Sequence, residues 1–133
     1  MRKKWNYTII LCIILVLSSC QTKIPVIAGE KIQQVQVSPS KGLGGINEKV
    51  TRNYKEDKDL LLFQQVMDQA ELSNIKMNDS DYDLVIYLSD EDTRLMQAEE
   101  QPDGRFAVIL IGHENKVYLA DRATSIRLQE LLN

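Results

Sequence analysis

The sequence predicts an α+β fold: a mostly antiparallel sheet of about five strands, one long helix packed on one face, and a short C-terminal helix. Three features carry the prediction. Apolar residues alternate at period two in Lys31–Ser38 and again through residues 82–120, where turns separate four such runs. Leu60–Leu72 repeats instead at the helical period, and Ile126–Leu132 adds a second, shorter apolar-periodic run. The order strand, helix, meander of four strands, helix joins neighbouring strands by short connections, which makes the pairing antiparallel.

Lys31–Ser38 (KIQQVQVS) sets Val35 and Val37 between glutamines, as in a half-buried strand, and Pro39 closes it. Ser40–Asn47 (SKGLGGIN) is glycine-rich and reads as a flexible loop or bulged turn. Gly42-Leu43-Gly44 begins like a dinucleotide fingerprint, but Asn47 holds the place of the third glycine. The Gly-Lys-Ser/Thr ending of a phosphate loop is also missing. Glu48–Tyr54 leaves room for a short strand around Val50 and Arg52. Asp57 or Asp59 then caps the helix Leu60–Leu72. Its residues Leu60, Leu62, Phe63, Val66, Met67 and Ala70 fall within an arc of about 160°. That face must cover a sheet.

Asp79–Asp83 (DSDYD) alternates carboxylates as a calcium loop does, yet Leu84 stands where such a loop needs glycine. The segment reads as a polar turn feeding a strand, Tyr82–Ser89. In that strand Tyr82, Leu84, Ile86 and Leu88 share one face, and Val85 and Tyr87 the other. Thr93–Glu100 is more polar and is expected at a sheet edge, where charge discourages pairing with other chains. Pro102-Asp103-Gly104 is a turn. Arg105–Ile111 is apolar on both faces and therefore central, and Lys116–Ala120 is the last strand. Thr124 or Ser125 caps the closing helix, Ile126–Leu132.

Two apolar sets result. Leu84, Ile86, Leu88, Phe106, Val108 and Leu110 form the core beneath the long helix. Val85, Tyr87, Ala107, Ile109, Ile111 and Tyr118 form a second face. Either the C-terminal helix folds back onto that face, or part of it stays exposed for a partner, with Tyr87, Ile109 and Tyr118 as the candidate contacts.

Catalytic chemistry finds little support. His113 is the one histidine and sits in a turn beside Glu114; zinc takes three or four His, Cys or carboxylate ligands. The acidic residues lie in turns or at strand ends, without the cleft that paired carboxylates need. The reading therefore assigns no catalytic residue, no metal and no cofactor. A net charge of −3, with no basic cluster in the folded part, gives no footing for nucleic acid.

The N-terminus is more specific. Arg2, Lys3 and Lys4 precede an apolar run, Thr8–Leu17, of the length of a signal-peptide core. It is short for a span, which needs about 20 apolar residues to cross ~30 Å of hydrocarbon. Leu17-Ser18-Ser19-Cys20 resembles the lipobox of bacterial lipoproteins. The resemblance implies cleavage between Ser19 and Cys20 and a lipid on the Cys20 sulfur. The chain then divides into a signal peptide (1–19), a lipidated cysteine with its tether (20–30) and one α+β domain (31–133). Without the leader, thirteen Lys+Arg face nineteen Asp+Glu, a net of −6, so attachment rests on the lipid rather than on a polybasic patch. Cys12 and Trp5 leave with the leader, so the domain has no thiol and no tryptophan.

Beyond the lipobox, residues 31–132 resemble the YhfM-like group of Bacillus-type lipoproteins. The resemblance is carried by Ser40-Lys41-Gly42 after the first strand, the Leu62-Phe63-x-x-Val66-Met67 helix, and Tyr82 opening the next strand. Asp81 stands where that group has proline. The group implies localisation and fold, and no activity. The expected function is thus a non-enzymatic binding or interaction module, held to the cell membrane by lipid at Cys20 on the extracytoplasmic side, with an envelope protein as partner. The alternative is an envelope hydrolase using carboxylates that the sequence does not identify.

Overall fold

A computed structural model describes residues 22–24 and 30–133. The leader, the Ser19–Cys20 cleavage site and lipidation at Cys20 lie outside the described residues.

The fold is α+β, with an antiparallel sheet and two helices. Its strands are β1 (Gln34–Pro39), β2 (Arg52–Tyr54), β3 (Glu71–Ser73), β4 (Tyr82–Tyr87), β5 (Thr93–Glu100), β6 (Phe106–Leu110) and β7 (Val117–Leu119). They form one sheet in the order β2-β1-β4-β5-β6-β7-β3. Helix α1 (Asp57–Gln69) links β2 to β3, and α2 (Arg122–Leu132) closes the chain.

The sheet has seven strands rather than about five, because the three-residue strands β2 and β3 form its two edges. The helix expected to run to Leu72 stops at Gln69: Ala70 turns extended (ψ 132°) and is fully buried, and the next three residues pair with β7. The helices are accordingly similar in length, 13 and 11 residues, not one long and one short. Their starts also lie earlier than expected. Glu56 precedes α1 without a side-chain cap, although Asp57 and Asp59 place negative charge in its first turn. Asp121, not Thr124 or Ser125, caps α2 by accepting from the Thr124 N–H at 2.7 Å.

Both helices cover the same face. Leu60, Leu62, Phe63, Val66 and Met67 of α1, with Leu128 and Leu132 of α2, meet Val35, Val37, Leu84, Ile86, Met96, Phe106, Val108 and Tyr118. Tyr54 packs against Phe63, with ring centroids 5.3 Å apart. Tyr54 and Arg52 also donate to the Leu131 carbonyl, tying edge strand β2 to the end of α2.

β5, expected at an edge, is the middle strand of the seven. Its polar character arises because Gln97 and Glu99 point to the face opposite the helices, where Gln97 is buried. β6 is buried at every position, as its two apolar faces require.

The segment read as tether is partly docked. Lys23 pairs across Glu71 in an antiparallel bridge, the Thr22 carbonyl accepts from the Leu72 N–H at 2.7 Å, and Ile24 is fully buried in the main core. No helix among the described residues is long and apolar enough to cross a membrane.

Candidate functional site

With both helices on one face, the other face must find different cover. The C-terminal helix does not supply it. Two loops do so in part. Residues 74–80 lay Met77 and Ile75 over Ala107, Ile109 and Val117, forming a small second core. Residues 40–50, the glycine-rich segment, cross β4 and β5 as a strap.

Sequence reading took the strap for a flexible loop; the structure shows why it is held. Two polar side chains under it are almost completely buried, Asp83 of β4 at 1% exposure and Gln97 of β5 at 0%. The Gln97 Nε2 donates to Asp83 Oδ1 (2.7 Å) and to the carbonyls of Gly42 and Gly45 (both 2.9 Å), and its Oε1 accepts from the Gly44 N–H at 3.0 Å. The second carboxylate oxygen of Asp83 accepts from the Asn47 N–H at 2.7 Å. Gly42 (φ 121°) and Gly44 (φ 89°) adopt the left-handed backbone that turns these groups inward, a conformation other residues rarely adopt. The strap is therefore latched at both ends of its glycine run onto a carboxylate–carboxamide pair.

Beside the latch the strap overhangs an open groove of about 500 Å³ across β1, β4, β5 and the residue after β6. Ile46 and Val50 of the strap face Val85, Leu95 and Ile111 of the sheet, with Gln36, Asn47 and Glu48 adding polar groups. Leu95 and Val50 each keep 40% of their surface exposed. Among the described residues lining the groove there is one carboxylate, Glu48, and no histidine, serine or cysteine.

The candidate contact residues do not come together. Tyr118 lies opposite Val108 and so belongs to the helix-covered core, at 3% exposure. Ile109 does lie on the second face but is buried, at 1%, beneath the 74–80 loop. Tyr87 is half-buried at the rim, its hydroxyl donating to Gln36 Oε1 at 3.1 Å. Val85 and Ile111 of the same apolar set do reach the groove.

The acidic and histidine candidates are dispersed. Asp79 accepts from the Ser80 N–H, Asp81 from the Glu100 N–H, and Asp83 turns under the strap, so the three carboxylates share no centre. Among the described residues no group of three or more His, Cys, Asp or Glu is placed to hold a metal. His113 is exposed in the turn between β6 and β7. Tyr82, its ring tilted against Phe106, has its phenol pushed above the ordinary value by burial first and by Asp81 and Glu100 second. Sequence reading missed Asp83 and Gln97 as partners. The available signal was one polar residue set among apolar neighbours in each of YDLVIY and LMQA.

No family model matches the chain, and no curated protein matches it. Among solved structures, the chain is similar to a thioesterase-like protein from Clostridium sporogenes ATCC 15579. The TM-score is 0.59 at 14% identity, over 74% of this chain and 92% of that one. At that identity the likeness concerns the fold alone.

Proposed function

We propose that the chain is a lipid-anchored binding module of the cell envelope, attached through Cys20, which receives apolar side chains of an envelope protein in the groove beneath the glycine-rich strap. One observation carries the reading. The groove combines exposed Leu95 and Val50 with a roof held in place by Asp83 and Gln97. A fixed apolar groove with a few polar groups at its rim is what side-chain recognition needs. Asp83, the buried carboxylate nearest to it, has both oxygens engaged by donors and serves as a latch.

Two measurements test this. Cys20→Ala should abolish partition of the protein into the detergent phase, and mass spectrometry should find diacylglycerol on Cys20 of the wild type. An unmodified wild-type Cys20 refutes the anchor. A photo-crosslinking amino acid at Leu95 should give a discrete protein adduct in cells, absent from the same label at Leu61 on the exposed side of α1 and lost on Val85→Asp.

The hydrolase reading draws on the fold shared with a thioesterase-like protein. Turnover of short acyl thioesters by the purified domain, abolished by Asp83→Asn in a variant that stays folded, would put that reading in place of the binding module.

A further inference from the structure

We propose that the sheet edge made by β3 and the docked segment Thr22–Ile24 is the side of the domain that faces the lipid bilayer. The inference rests on lipid attachment at Cys20 and extends it from a tether to an orientation. Three separate contacts pin the segment. The Leu72 N–H donates to the Thr22 carbonyl at 2.7 Å. Lys23 Nζ lies 3.2 Å from Glu71 Oε1, beside the backbone bridge of the same two residues. Ile24 has no exposed surface.

Only Gln21 stands between Cys20 and Thr22. Consecutive Cα atoms are 3.8 Å apart, so the Cys20 Cα lies within about 8 Å of the Thr22 Cα. A free tether from Cys20 to Lys31 would reach more than four times as far and impose no orientation. Leu72, bonded to Thr22 through its backbone, keeps 42% of its surface exposed at this edge and offers an apolar side chain to the interface. Lys116, next to Val117, and Lys76, three residues after Ser73 in the 74–80 loop, are exposed cations available to anionic headgroups. The opposite edge, β2, is six strand spacings away, roughly 29 Å along the sheet.

Single tryptophans test the orientation, because Trp5 is removed with the leader. Lipidated full-length protein carrying Leu72→Trp, or Lys76→Trp as a second reporter, is reconstituted into phosphatidylglycerol–phosphatidylethanolamine vesicles with nitroxide-labelled lipid. Lys55→Trp, next to β2, is the far-edge control. Quenching should be several-fold stronger at Leu72→Trp and Lys76→Trp than at Lys55→Trp. The difference should collapse when about ten Gly/Ser residues, adding roughly 17 Å of mean reach, are inserted between Gln21 and Thr22. Equal quenching at both edges in protein whose Cys20 carries lipid overturns the orientation. Mass spectra showing an unmodified Cys20 overturn the anchor beneath it, and the two failures are read independently.

Discussion

Removing the Gln97 carboxamide should release the strap while leaving the sheet paired. The magnitude follows from what loses its partner in Gln97→Ala. Asp83 Oδ1, at 2.7 Å from Gln97 Nε2, loses a charge-assisted bond in a site where the residue is 1% exposed. Such a bond contributes about 1.5–3 kcal/mol. The Gly44 N–H and the Gly42 and Gly45 carbonyls also lose partners, but they lie on an exposed or half-buried strap and water replaces the lost groups. Their combined loss is about 1 kcal/mol, for a total near 3 kcal/mol. For a domain of this size that is a fall in Tm of roughly 12–24 °C. Asp83→Asn should not be a mild change. Both oxygens of Asp83 face donors, Gln97 Nε2 and the Asn47 N–H, so either orientation of an asparagine amide sets its NH2 against one of them. Urea unfolding followed by circular dichroism measures both variants, and amide exchange at Gly44 and Asn47 reports the strap directly. A loss below about 0.5 kcal/mol in Gln97→Ala, with exchange at Gly44 unchanged, refutes the latch.

Three further outcomes follow from particular contacts. Tyr118→Ser should cost about 3 kcal/mol, because the ring is 3% exposed under the helices, whereas Tyr87→Ser, at the groove rim, should cost about 1 kcal/mol or less; chemical denaturation separates them. Asp121→Ala should cost about 1 kcal/mol of stability by uncapping α2. Hydrogen bonds from the Thr124 N–H and hydroxyl hold the Asp121 carboxyl below its ordinary value of 3.8. A lowered folded value means that this stabilisation is complete above about pH 4 and fades in more acid solution, so the gap between variant and wild type should close there. Tyr82 should ionise above the ordinary tyrosine value in a spectrophotometric titration, and Glu100→Gln should bring it part of the way back.

Much of the fold was legible because local pattern determined it. Alternation in YDLVIY and FAVIL is enough to place Leu84, Ile86, Phe106 and Val108 on one face, where the helices cover them. What alternation cannot give is the phase between strands. Tyr118 alternates correctly within β7, but the hairpin register sets it opposite Val108 and not beside Ile109, and a one-residue shift exchanges the faces. The polarity of β5 misled for a related reason. Polar residues on one side of a strand signal solvent only when nothing lies over that side, and here the strap encloses Gln97. β3 escaped notice because three residues are too few to show a period, and Leu72 extended the helical spacing of α1. The groove belongs to the same class: Val85, Leu95 and Ile111 meet Ile46 and Val50 only through contacts between distant segments.

The latch and the docked N-terminal segment bear on each other. The groove lies over β1, β4 and β5, about four strand spacings from β3, which is roughly 19 Å. A domain held to the bilayer by its β3 edge therefore carries the groove clear of the headgroups, open to a protein in the envelope. Under the proposed binding function, the buried Asp83–Gln97 pair preorganises the groove. A loose glycine-rich loop would have to be ordered on each encounter, and that ordering subtracts from affinity; a strap already bonded through Gly42, Gly44, Gly45 and Asn47 does not incur it. Isolated buried polar groups weaken a core, so a carboxylate placed under a glycine loop is better explained by what it holds in position than by stability. On this account Gln97→Ala should weaken crosslinking at Leu95 at temperatures where the variant remains folded, whereas Asp121→Ala, remote from the strap, should lower stability and leave the crosslink unchanged.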